Sequence, residues 1–137
     1  NVAILNFGTR LNECKKASEL LSQKGINVTI IDARFAKPLD KKLIMEIATT
    51  HEVLVSIEEG SIGGFGSHVM QFLSDKGIFD KGLKFRSMVL PDLFLDQDTP
   101  KKMYEKAGLD SLSIANKIEE TLNSNIILVK NRNKIKN

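Results

Sequence analysis

Short apolar runs alternate with helically spaced apolar positions along most of this chain. Val2 to Leu5, Ile26 to Ile31 and Val53 to Ile57 are β-branched and nearly unbroken, the pattern of strands covered on both faces. Between the first two, Cys14, Ala17, Leu20, Leu21 and Lys24 fall on one helical face, and Gly25 follows where a helix end favours left-handed backbone. After Pro38, Asp40 is placed to cap a helix carrying Leu43, Ile44 and Ile47, before His51 and Glu52 lead into the third strand. A glycine-rich segment from Glu58 to Ser67 then opens into a helix bearing Val69, Met70, Phe72 and Leu73. Phe85 to Leu90 reads as a fourth strand, stopped by Pro91, which has no N–H to extend a ladder. Thr99 and Pro100 start another helix, and Asp110 or Ser111 caps a last one whose Ala115, Ile118 and Leu122 share a face. Ile126 to Val129 is either a fifth strand or part of a frayed or pairing tail. Strands alternating with helices predict an α/β fold: a three-layer α/β/α sandwich around a mostly parallel sheet of four or five strands.

Length and charge narrow this picture. The 137 residues suit one domain with one core, expected over residues 1–123, with a polar basic tail at 124–137 that is partly disordered. The net charge of +3 comes from that tail, where Lys130, Arg132, Lys134 and Lys136 face no acid after Glu120. Subtracting those four leaves 16 basic against 17 acidic groups in the rest, so no basic surface for nucleic acid is expected. No apolar stretch has the ~20 residues that a membrane span needs. The single cysteine, Cys14, has no partner for an internal disulfide, and on its apolar helical face it reads as a buried small hydrophobe. The chain opens directly on a strand without methionine or leader, which reads as a piece of a longer polypeptide.

The glycine-rich loop carries the most functional-looking chemistry. Gly63, Gly64, Gly66 and Ser67 form a candidate anion-binding site, because N–H groups at a helix start can hold an anion once side chains are out of the way. The segment is neither a P-loop nor a dinucleotide fingerprint, as it lacks the Lys-Ser or Lys-Thr pair and the third glycine. The competing reading is that these glycines serve tight turns and close helix packing. Glu58 and Glu59 are adjacent on a strand, so they point to opposite faces and at most one faces the loop. His51 and His68 have no recognisable nucleophile or acid partner, and Asp92, Asp96 and Asp98 lack the spacing of a calcium loop. No catalytic, cofactor-binding or metal-binding residue is assigned.

Two blocks carry a family resemblance that runs from Val2 to about Leu122. Glu58-Glu59-Gly60-Ser61-Ile62-Gly63-Gly64-Phe65-Gly66-Ser67-His68-Val69 is one; Val89-Leu90-Pro91-Asp92 with Phe94, Asp96-Gln97 and Ala107-Gly108-Leu109 is the other. Val2 to Thr9 and Asp32 to Asp40 add to them. Together they resemble the C-terminal, transketolase-like domain of 1-deoxy-D-xylulose-5-phosphate synthases. Leu93 and Asp98 depart from the pattern, standing where members commonly have arginine and glycine.

The resemblance implies a thiamine-diphosphate and magnesium-dependent transferase that condenses pyruvate with glyceraldehyde 3-phosphate, with loss of carbon dioxide, in non-mevalonate isoprenoid synthesis. It places cofactor, metal and activating glutamate in preceding domains of the same polypeptide, and leaves this domain a structural, assembly or regulatory role within a homodimer. It also implies a soluble protein, of a plastid or apicoplast in a eukaryote and of the cytoplasm in a bacterium. The alternatives are a partner-binding C-terminal domain of a 2-oxo acid dehydrogenase beta-type subunit and a freestanding anion-binding module.

Overall fold

A computed structural model describes residues 1–91 and 97–135, the last eleven of these by their backbone alone. Its elements are β1 (Val2–Phe7), α1 (Leu11–Ser22), β2 (Val28–Ala33), α2 (Lys41–Thr50), β3 (Val53–Glu58), α3 (Phe65–Asp75), a 3-10 turn (Ile78–Lys81), β4 (Lys84–Met88), α4 (Pro100–Ala107) and α5 (Ser111–Ile135). The four strands form one sheet in the order β2-β1-β3-β4, and every pairing is parallel.

Side-chain parity along the central strands builds two cores. Val2 and Ile4 of β1, with Val53, Val55 and Ile57 of β3, face Cys14, Ala17 and Leu21 of α1 and Ile114, Ala115 and Ile118 of α5. Ala3 and Leu5, with Leu54, face Ile44, Ile47 and Ala48 of α2 and Phe65, Val69 and Leu73 of α3. This is the three-layer α/β/α sandwich, and it explains why β1 and β3 read as unbroken apolar runs: each buries both faces. Completely burying one such aliphatic side chain contributes about 1.5–3 kcal/mol, so these two strands anchor the domain.

Local signals set the element ends. Asp40 accepts from the N–H of Leu43 at 3.0 Å and caps α2. Thr99 accepts from Lys102 at 3.4 Å ahead of Pro100, and Asp110 accepts the first helical bond of α5, from Ile114 at 3.0 Å.

Three expectations need correction. β2 begins at Val28, because the N–H of Ile26 turns back to Leu21 at 3.0 Å and closes the end of α1. As an edge strand, β2 is also only partly covered. β4 stops at Met88, since the N–H of Leu90 leaves the ladder for the carbonyl of Gly60 at 3.0 Å. Finally, the candidate fifth strand at Ile126 to Val129 has helical backbone within α5. No glycine or proline interrupts Ser111–Ile135, so extending the helix forms one bond per added residue, whereas a strand would have to cross to a sheet edge. The assigned helix therefore runs across the expected boundary at residue 123; Lys136, Asn137 and the tail's side chains from residue 125 lie outside the described residues.

Candidate functional site

The sheet has one point where neighbouring strands send their chains to opposite faces. β1 leads into α1 on one face, and β3 beside it leads into α3 on the other. Diverging connections open a crevice beyond the carboxyl ends of those strands, where open α/β sheets place their ligands. Here the crevice receives Thr9 and Arg10 from the end of β1 and Glu58 and Glu59 from the end of β3.

Glu58 turns inward. It is 3% exposed and accepts the N–H groups of Phe65 at 3.0 Å and Gly66 at 2.5 Å, so it supplies the negative charge at the start of α3. The surrounding glycines make room for it: a β-carbon at Gly60 would lie 2.6 Å from Glu58 Oε1, and one at Gly64 would lie 2.1 Å away. Gly66 is confined from the sheet side as well, where a β-carbon would meet Ser87 Oγ at 2.5 Å and Ser56 Oγ at 2.6 Å. The four residues singled out for an anion are therefore brought together, and the N–H groups of the three glycines are already taken up within the loop. Gly63 donates to Ser67 Oγ at 2.9 Å, Gly64 to the Ser61 carbonyl at 3.2 Å, and Gly66 to Glu58.

Glu59, the first residue past the end of β3, turns outward. Its Oε1 accepts from the Thr9 hydroxyl, and from Tyr104 Oη at 2.6 Å. Arg10 Nε lies 3.2 Å from the same oxygen but off the line of a hydrogen bond, so charge holds that pair. The Arg10 guanidinium also sits over the Tyr104 ring, 3.5 Å from its centroid. Burial pulls the Glu59 carboxyl upward, but the Thr9 and Tyr104 hydrogen bonds and the Arg10 charge outweigh it and hold the group below the usual carboxylate value. The Glu59 hydrogen bond pushes the Tyr104 phenol up.

Beyond Tyr104 the crevice widens into a cleft of about 380 Å³, lined in part by Arg10, Glu13, Lys16, Lys101 and Ser111. Glu13 in its lining accepts from the N–H of Ser111 at 2.9 Å and from Lys16 at 3.0 Å. Asn6, fully buried in β1, donates to Asp32 at 2.8 Å and to the Gly8 carbonyl at 3.1 Å, tying the two strand ends together.

The remaining candidates stand elsewhere. Cys14 is fully buried in the core, and burial pushes its thiol up to about 12. His51 links the end of α2 to β2, within 2.9 Å of the Ile47 carbonyl and 3.0 Å of Thr29 Oγ1. His68 is half-buried in the first turns of α3. Asp98 accepts from the N–H of Thr99 and pairs with Lys106 at 3.2 Å, whereas Asp92, Leu93 and Asp96 lie outside the described residues. Among the described residues there is no cluster of three metal-binding side chains, and no helix is long and apolar enough to cross a membrane. A thiamine diphosphate does not fit the glycine loop, because Glu58 already holds its inward N–H groups and would repel a diphosphate.

Sequence reasoning missed Arg10, Tyr104 and Asn6. Arg10 follows a lone glycine turn, and Tyr104 sits on a short helix none of whose residues is fully buried. The one available signal was that a single tyrosine occurs in the whole chain.

The fold agrees with known relatives. The family described as the transketolase, C-terminal domain matches residues 1–114, and the chain belongs to that family. Among solved structures, a split-gene transketolase described as an inactive beta4 tetramer superposes with a TM-score of 0.79 at 28% identity. The match covers 89% of this chain and 39% of that one, so the chain spans about two-fifths of its solved relative.

Proposed function

We propose that this chain is the C-terminal domain of a 1-deoxy-D-xylulose-5-phosphate synthase. In this reading the whole enzyme condenses pyruvate with glyceraldehyde 3-phosphate, with loss of carbon dioxide, using thiamine diphosphate and magnesium held by preceding domains. The domain itself packs on its neighbours and supports a homodimer, in a plastid, an apicoplast or a bacterial cytoplasm. The observation that carries the reading is the pair of sequence blocks at Glu58 to Val69 and Val89 to Leu109, lying on a fold of the transketolase C-terminal family. The divergence of Glu58 and Glu59 supports a non-catalytic role, since two carboxylates facing apart cannot work on one substrate.

Two measurements test this. The parent polypeptide, assayed with pyruvate and glyceraldehyde 3-phosphate, should release carbon dioxide and form deoxyxylulose phosphate. Titration of the 137-residue chain with thiamine diphosphate and magnesium should show no saturable heat at micromolar concentration, the range of about −8 kcal/mol. Saturation there would place cofactor binding in this domain and overturn the reading. The solved relative favours one competitor, a transketolase built from separate gene products. A parent that ignores pyruvate would support that competitor.

A further inference from the structure

Glu58 and Glu59 are both held by donors, but in different ways. Glu58 is enclosed by glycines and cannot leave without emptying a buried space. Glu59 keeps 31% of its side chain exposed at the rim of the crevice, and its three holders come from two distant parts of the chain, residues 9–10 and residue 104. The Thr9 hydroxyl, the Tyr104 hydroxyl and the Arg10 guanidinium all converge on the single oxygen Oε1. Arg10 Nε is buried and, among the described residues, forms no hydrogen bond, so one donor of the set is left over. The cleft of about 380 Å³ adjoins this point, and Lys16 and Lys101 add positive charge to its lining.

We propose that Thr9, Arg10 and Tyr104 form a binding site for a small oxyanion, a carboxylate or a phosphate, and that Glu59 is a built-in occupant which such a ligand displaces. A guanidinium flanked by two hydroxyls matches the terminal oxygens of either group, and charge-assisted bonds of this kind are the strong ones. The aromatic ring beneath Arg10 keeps the guanidinium in place when Glu59 leaves. Glu59 already keeps part of its side chain in solvent, which gives a displaced carboxylate somewhere to go. Glu13, Glu105 and Asp110 also line the cleft, so the ligand must be compact enough to stay beside Arg10. The site is independent of which transketolase-type enzyme carries the domain.

The test uses the Glu59→Ala variant of the 137-residue chain, which vacates the site. Tyr104 is the only tyrosine and there is no tryptophan, so ultraviolet emission reports on this position alone. Emission should rise in the variant as the carboxylate partner is lost. Inorganic phosphate or acetate, added at constant ionic strength against chloride, should then quench it saturably and shift the Thr9 amide resonance. The two arms distinguish phosphate from carboxylate as the preferred ligand, and saturation by either supports the site. Wild-type protein should show the same Thr9 shift with an affinity at least about tenfold weaker, because an internal competitor lowers the fraction of competent sites. Adding Arg10→Met to Glu59→Ala should abolish the response. If Glu59→Ala does not fold, Glu59→Gln serves, since it removes the charge and keeps the shape. A folded variant that shows no saturable response to either anion would overturn the proposal, as would a response that survives Arg10→Met.

Discussion

Gly66 donates its N–H to the carboxylate of Glu58 and has no room for a β-carbon between that carboxylate and the serines of β3 and β4. On an exposed helix, exchanging glycine for alanine stabilises by roughly 0.5–1 kcal/mol. Here packing reverses the sign. Gly66→Ala should destabilise by about 1–3 kcal/mol, as overfilled buried sites do. Urea unfolding reads this directly, and a stabilised variant would mean that the serine hydroxyls rotate out of the way.

Glu58 should matter more than its neighbour. Glu58→Ala leaves the N–H groups of Phe65 and Gly66 buried without an acceptor, at about 1–3 kcal/mol each. Urea unfolding should therefore find Glu58→Ala less stable than Glu59→Ala. Crystals soaked in sulfate should show no density among Gly63, Gly64, Gly66 and Ser67 while Glu58 is present. Sulfate bound there would establish the loop as an external anion site.

Glu59 predicts a pH dependence of definite sign. Its folded carboxyl is held below the ordinary value, so its contribution is fully present above the unfolded pKa, about 4.3, and is lost as pH falls through the folded one. Glu59→Gln should therefore cost about 1 kcal/mol at neutral pH, discounted for partial exposure, and nearly nothing in strong acid. Paired unfolding curves at the two pH values check this. A difference that grows toward acid would contradict the assignment.

Cys14 should be chemically silent in the folded protein. With its thiol fully buried and pushed up to about 12, it has almost no thiolate at neutral pH. A disulfide reagent should label it only after denaturant is added. Rapid labelling of native protein would show that α1 opens from the sheet.

The domain boundary is open to a deletion. Ile114, Ala115, Ile118 and Leu122 already seat α5 on the core, and residues 130–137 alternate basic with mostly polar positions. Removing 124–137 should change stability by less than about 1 kcal/mol. A larger loss, measured by thermal unfolding, would extend the domain through α5.

Much of the fold was legible because its signals are local. Apolar runs mark β1 and β3, Asp40 and Thr99 cap the helices that follow them, and the helical stripe from Cys14 to Leu21 lies where α1 meets the core. The sequence also predicted that Glu58 and Glu59 part, as adjacent residues of an extended segment do, and they part although β3 ends at Glu58. What it left open was which acid goes in, and what meets the other. That depends on strand order: β1 and β3 lie side by side, and only this brings Arg10 next to Glu59. Tyr104 reaches the same carboxylate across 45 residues, from a helix with no fully buried residue to announce it. Periodicity and capping extend over a few residues, whereas the crevice is made by contacts between distant segments. The sequence by itself thus determined the layers and the glycine loop, and tertiary packing decided that the loop encloses its own glutamate while the next residue closes the crevice.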